Sequence, residues 1–323
     1  MTRTLFVAAL VTAMTLASSA DAAPLYVNDF DSDTTASWTV NDPGLTDILV
    51  DFYYDYSLIG VPAAPGGTST RGLKMTANMS GDVFSGFSVS PTGESFAGDY
   101  QVTFDIWQNY AGPLGPGGNG TTQLSLYGIG TAGNVAVWPG SPKESLGFGT
   151  TLDGGSASDV RAYSSAEPTS YLSGDPVYQS PGGVINESAA YYSVYAPQSA
   201  PAAQLLLFPG QTGSTDVGET SFAWRTVVID VSGGFATWSI DGLPLARVDL
   251  STVVLGGGNI FFGHSDTNNT SSTDPFDYLL NVTLIDNVRV SSLERPVPEP
   301  STLLLSMLAV GGAAMNRRRA RRR

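Results

Sequence analysis

WRTVVIDVSGGFATWSIDGLPLARVDL, residues 224–250, is the stretch that decides the fold. Phe222 to Val231 reads as a long strand, because its valines, isoleucine and threonine suit a pleated surface that repeats every two residues. Ser232-Gly-Gly234 interrupts it, and Phe235 to Ile240 reads as the next strand. Asp241-Gly242 follows. A two-residue hairpin turn of type I′ needs positive φ at both central positions, and Asp-Gly is among the pairs that accept it. Leu243 to Leu250 then returns. Strands joined by such short turns must pair antiparallel.

The same period recurs elsewhere. Tyr100, Val102, Phe104 and Ile106 form one face of a strand, and Gln101, Thr103, Asp105 and Trp107 form the other. Thr122 to Ile129, Asn259 to Phe262 and Leu279 to Val290 read as further strands. The chain has 37 Gly and 20 Pro, and helical periodicity is nearly absent between its two ends, which together predict an all-β sandwich or barrel. Residues 130–215 are rich in loop signals. A structureless insertion of that length is uncommon in a compact domain. Short strands are therefore expected within it, near Tyr191 to Tyr195 and Gln204 to Phe208.

Trp224 to Val231, Thr237-Trp-Ser-Ile-Asp-Gly242 and Ile285-Asp-Asn-Val-Arg-Val290 resemble the second half of a concanavalin A-like or LamG-like jelly roll. That resemblance implies an antiparallel β-sandwich over residues 23–292, with the closing strand lying beside a first strand at Tyr26 to Ser32. It implies nothing specific about function, since the same sandwich hosts lectins, hydrolases and adhesion modules.

The two ends carry addresses. Arg3, an apolar run from Leu5 to Leu16 and the small residues Ala20-Asp21-Ala22 read as a secretory signal peptide, residues 1–22, cleaved after Ala22 with Ala20 as the alternative. At the other end, a linker over residues 293–300 holds Pro298, Glu299 and Pro300; an apolar run of membrane-helix composition follows at 301–316. As a helix that run rises about 24 Å, slightly short of a bilayer core. Arg317, Arg318, Arg319, Arg321, Arg322 and Arg323 complete the chain and favour the cytoplasmic side. This order resembles the PEP-CTERM sorting signal, which implies recognition and cleavage near the motif by a membrane protease of the exosortase type. A permanent membrane anchor is the alternative.

Without Arg3, the tail arginines, Asp21 and Glu299, 8 Lys+Arg stand against 27 Asp+Glu, a formal charge near −19. Such a domain is a poor partner for nucleic acid, whose phosphates need clustered cations. The chain contains no Cys, which excludes disulfides, thiolate nucleophiles and Cys-based metal sites. Its single His, His264, is the one residue available to a Ser-His-Asp triad, and no Gly-x-Ser-x-Gly elbow accompanies it. The Glu-x-Asp-x-x-Glu run common in hydrolases of this fold is absent, so no enzyme activity is expected.

Two candidate sites remain. Trp107, flanked by Asp105 and Asn109 on the polar face of its strand, has the make-up of a glycan platform, with Trp138 and the pair Tyr191-Tyr192 as secondary candidates. The alternative is a tryptophan filling space in the core. If the first and last strands are neighbours, Asp29 or Asp31 meets Asp286, a candidate structural calcium site of hard oxygen ligands; ordinary turn carboxylates are the alternative. The expected role is an exported, non-catalytic surface or matrix protein handled by the secretion machinery; a tie to extracellular polysaccharide is what the resemblance to PEP-CTERM proteins implies. A lectin-like module is the first rival and a divergent glycoside hydrolase the second.

Overall fold

A computed structural model describes residues 24–44, 48–77, 86–112, 123–139, 144–153, 158–165, 170–266 and 277–293. All of them lie in one compact unit, Pro24–Glu294. The segment expected to be a signal peptide (residues 1–22), the sorting motif, the apolar run and the arginine tail lie outside the described residues. Among the described residues no helix is long and apolar enough to cross a membrane.

The strands run in chain order as β1 (Pro24–Asn28), β2 (Trp38–Asn41), β3 (Ile48–Asp55), β4 (Arg71–Ala77), β5 (Gly86–Pro91), β6 (Tyr100–Asn109) and β7 (Gln123–Thr131). They continue as β8 (Leu146–Thr151), β9 (Val160–Ser164), β10 (Trp224–Ser232), β11 (Phe235–Ile240), β12 (Leu243–Asp249), β13 (Asn259–Asp266) and β14 (Val282–Ser292). The larger sheet has the order β12-β11-β10-β6-β14-β4-β3, with β1 also paired to β14; the smaller has β2-β5-β13-β7-β8-β9. The result is an antiparallel two-sheet sandwich of jelly-roll type. The first and last strands do pair, Tyr26 opposite Val290 and Asn28 opposite Val288.

The stretch at 224–250 folds as its pattern demands. Val227, Ile229 and Val231 of β10 and Ala236, Trp238 and Ile240 of β11 enter the core between the sheets. Gly233 and Gly234, then Asp241 and Gly242, adopt φ of 57°, 82°, 49° and 77°, so both turns are of the type that matches strand twist. Trp238 stacks on Phe148 of the facing sheet at 5.0 Å, and Phe104 meets Phe262 edge-on at 4.9 Å. Aromatic pairs of this kind add about 0.5–1.5 kcal/mol each beyond the area they bury.

The expected strands near 191–195 and 204–208 are helical turns instead. Residues Ala190–Tyr192 form a 3-10 turn, closed by Tyr192 N–H to Ala189 O at 3.1 Å. Ala202–Leu207 is helix α1, closed by Leu205 N–H to Pro201 O at 3.0 Å. Pro201 is already set for a helix start, and alanine and leucine prefer helix to strand. The strands hidden in the loop-rich region are β8 and β9.

Candidate functional site

On β6, alternation sends Tyr100, Val102, Phe104 and Ile106 between the sheets and turns Asp105, Trp107 and Asn109 to the outer face of the larger sheet. Asp105 stands opposite Asp286 of β14 in the pairing register, so the fold brings two carboxylates together on neighbouring strands. The register slips between Asp286 and Arg289, and Asn287 at φ 52° occupies the left-handed region. Asparagine tolerates that conformation better than most residues. This bulge re-aims the Asn287 amide. Its Nδ2 donates to Asp105 Oδ2 at 2.8 Å, while Thr226 Oγ1 of β10 donates to Asp105 Oδ1 at 2.8 Å.

Asp286 is held just as fully. Asn287 N–H donates to its Oδ1 at 2.7 Å, and the Tyr56 hydroxyl donates to its Oδ2 at 3.0 Å. That hydroxyl also accepts the Ala64 N–H at 3.2 Å, which ties the loop after β3 to the sheet. Burial pushes the Asp286 carboxyl up to about 7, with the Asp31 and Asp105 charges adding to the effect. Burial also raises the Tyr56 phenol, helped by the Asp286 charge. Arranged this way, Asp286 can hold a proton near neutrality, but neither carboxylate is open to solvent.

Trp107 corrects the expectation of an open glycan platform. It is 2% exposed, packed with Tyr56, Ile59, Val61, Phe222 and Leu284 in a second core on the outer face, and its indole donates to Asn109 Oδ1 at 3.2 Å. The polar face of β6 is itself covered, by the turn Tyr56–Ile59 and by chain from residues 200–222. Asn109 is buried beneath it, donating to Leu280 O at 2.8 Å. Trp138 is also buried, on the outer side of the smaller sheet, where a Cβ at Gly86 would collide with its ring. Tyr192 is buried and Tyr191 is half-buried. The aromatic that does reach solvent beside the pair is one the alternation argument passed over: Trp224, half-buried, 5.9 Å from Trp107 and 5.3 Å from Tyr56 by ring centroid.

The calcium trio is only partly assembled. Asp31 lies close enough to Asp286 for its charge to act on it, but its own oxygens take the Thr68 hydroxyl at 2.6 Å and the Ser69 hydroxyl. These hydroxyls hold the Asp31 carboxyl below its usual range, Ser69 more than Thr68. Asp29 is exposed and accepts the Asp31 N–H at 3.1 Å. Among the described residues no group of three or more His, Cys, Asp or Glu side chains is placed to hold a metal ion.

His264 is a core residue. Its Nδ1 lies 2.8 Å from Thr283 Oγ1, its Nε2 meets Gln123 Oε1, and burial lowers its pKa to about 3. Gln123 Oε1 can only accept, so Nε2 carries the proton and Nδ1 accepts from Thr283. The chain of donors runs on through Ser125 Oγ, 2.6 Å from Thr283 Oγ1, to Gln108 Nε2 at 2.9 Å. This links the two sheets through a buried polar seam with no carboxylate in it.

With that geometry in place, comparison with known proteins adds one firm point. Residues 296–322 match the PEP-CTERM protein-sorting motif. The match takes in Pro298, Glu299 and Pro300, the apolar run and most of the arginine tail. Among curated proteins none matches the chain. Solved structures align at low similarity: a protein of unknown function with a galectin-like fold from Bacillus subtilis has 13% identity over 84% of this chain and 96% of that one, TM-score 0.39. A family 16 endo-glucanase from Bacteroides ovatus has 17% identity over 82% and 99%, TM-score 0.39. The Ca2+-bound exoplasmic/lumenal domain of VIP36 has 10% identity over 83% and 89%, TM-score 0.40. At these TM-scores nothing about activity or ligands passes to this chain.

Proposed function

We propose that this chain is an exported, non-catalytic surface or matrix protein that its C-terminal sorting motif delivers and that associates with extracellular polysaccharide. The sorting motif at residues 296–322 carries the reading. In it, an exosortase-type protease acts near Pro298-Glu299-Pro300, the apolar run anchors the chain until then, and the sandwich is released to the outer surface. The closed state of the Asp105–Asp286 pair supports a non-catalytic role. A glycosidase needs one carboxyl able to reach the leaving oxygen and a second able to reach the sugar or its attacking water. Here the oxygens of both are engaged by Thr226, Asn287 and Tyr56.

A lectin-like site is the second reading, and the half-buried Trp224 ring favours it. The experiment is co-sedimentation of residues 24–294 with the extracellular polysaccharide of the producing cells, with a parallel assay for newly released reducing ends. Saturable binding without new reducing ends supports the proposal, and its loss in Trp224→Ala turns it into the lectin-like reading with a located site. Release of reducing ends that Asp286→Asn abolishes overturns the non-catalytic role. No binding to the polysaccharide removes that association.

A further inference from the structure

Helix α1 is built inside out. A helix packed on a protein surface ordinarily buries its leucines and exposes its polar residues. In α1 the buried residue is Gln204, and Leu205, Leu206 and Leu207 are 40%, 84% and 53% exposed. The inversion is locked in place. Gln204 Nε2 donates to Ile59 O at 2.8 Å and to Asn109 Oδ1 at 3.0 Å, and Gln211 Nε2 donates to Gln204 Oε1 at 2.9 Å. Gly60, at φ 72°, lets the turn beneath close onto the helix, since a Cβ there would lie 2.3 Å from the Gln204 nitrogen. Turning α1 over would bury the leucines but carry Gln204 into solvent and leave Ile59 O, Asn109 and Gln211 without it, at roughly 1–3 kcal/mol per buried group left unpaired. The leucines are therefore held out. Leu58, on the turn beneath, is 64% exposed as well.

Three observations narrow what covers them. Consecutive helical residues point about 100° apart, so the three leucines fan over about 200°. A flat partner surface cannot meet all three at once. Four leucines also offer far less than the ~800 Å² per partner that a stable protein interface buries. Finally, residues 188–215 contain no charged side chain, in a domain whose formal charge is near −19. An uncharged apolar projection is what an acidic protein needs to approach an apolar phase.

We propose that the leucine projection of α1, with Leu58, inserts into the interfacial region of a lipid bilayer, preferring a membrane of low negative charge. The acidic remainder of the domain faces water and is repelled by anionic headgroups. The test is flotation of residues 24–294, the unit that holds both sheets and their cores, with phosphatidylcholine and with phosphatidylglycerol vesicles. Leu206→Glu is compared with Leu172→Glu, an equally drastic change at a leucine that is 75% exposed elsewhere. The expected result is binding to phosphatidylcholine that falls about tenfold or more in Leu206→Glu and is unchanged in Leu172→Glu. Binding to phosphatidylglycerol is weaker at low salt, and added salt narrows the gap. No vesicle binding, or equal loss in the two variants, overturns the proposal. So does a concentration-dependent dimer lost in Leu206→Glu without any vesicle binding, which assigns the projection to a second copy of the chain.

Discussion

Glu219 is buried among its own kind, and replacing it with glutamine should stabilise the domain. Its Oε2 accepts the Asp216 N–H at 3.0 Å. Burial pushes its carboxyl up to about 8, and the charges of Asp159, Asp216 and Asp153 add to the rise. Asp159, pushed up to about 6 for the same main reason, accepts from the Thr151 hydroxyl at 2.8 Å and the Asn186 N–H at 2.7 Å; the Arg161 charge opposes the rise there. A folded value above the unfolded one means that the native state keeps a proton the unfolded chain releases. Stability from this group is then present below the unfolded value, near 4.5, and is lost as pH rises towards about 8. At pH 7 the proton has been carried some 2.5 units above the unfolded value, which at 1.36 kcal/mol per unit amounts to about 3 kcal/mol. Glutamine keeps an acceptor for the Asp216 N–H, removes the charge that Asp159, Asp216 and Asp153 oppose, and cannot ionise. Urea unfolding of residues 24–294 should show Glu219→Gln more stable than wild type by about 2–3 kcal/mol at pH 7, converging on wild type near pH 4.5. A variant no more stable at pH 7, or an offset independent of pH, refutes the reasoning.

Trp107→Ala should lower unfolding free energy by about 3–5 kcal/mol, because it empties the outer-face core; equal stability of the two proteins would mean that the ring is not packed as described. Tyr56→Phe removes the hydroxyl shared by Asp286 and the Ala64 N–H and should cost about 1–3 kcal/mol, read by urea unfolding, with no change supporting an idle hydroxyl. Thermal melts with EDTA and with excess calcium should superimpose, since Asp29, Asp31 and Asp286 do not converge on one point; a calcium-dependent rise in Tm would show that they do.

What the sequence discloses about this molecule follows the range of the interactions involved. The hairpins of residues 224–250 are local: period-two alternation and Gly-Gly or Asp-Gly turns suffice, and they were readable in full. The pairing of first and last strands was readable through family resemblance, and with it the approach of Asp31 to Asp286. Alternation also told correctly which side of β6 faces the core between the sheets. It carries no information on whether the opposite side is covered, and Trp107 is covered by chain about 50 residues before it and about 100 after it. The bulge at Asn287 left one faint trace, an asparagine after an aspartate in a strand, and the contact of Tyr56 with Asp286 left none. In the loop-rich region helix α1 follows from the strong helix formers Ala202-Ala-Gln-Leu-Leu-Leu207, which outweigh the apolar run that suggests a strand there.

Export and sorting are tested most directly at the C-terminus of the protein the cells deliver. Mass spectrometry of the chain recovered from the surface and extracellular fractions should find an N-terminus at Ala23 and a C-terminus near Pro298-Glu299-Pro300, without the arginine tail. In a Pro298→Ala, Glu299→Ala, Pro300→Ala variant the chain should remain full-length at its C-terminus and in the cell membrane. Wild-type protein that reaches its final location with Arg323 intact, or a variant processed like wild type, contradicts delivery by the sorting motif.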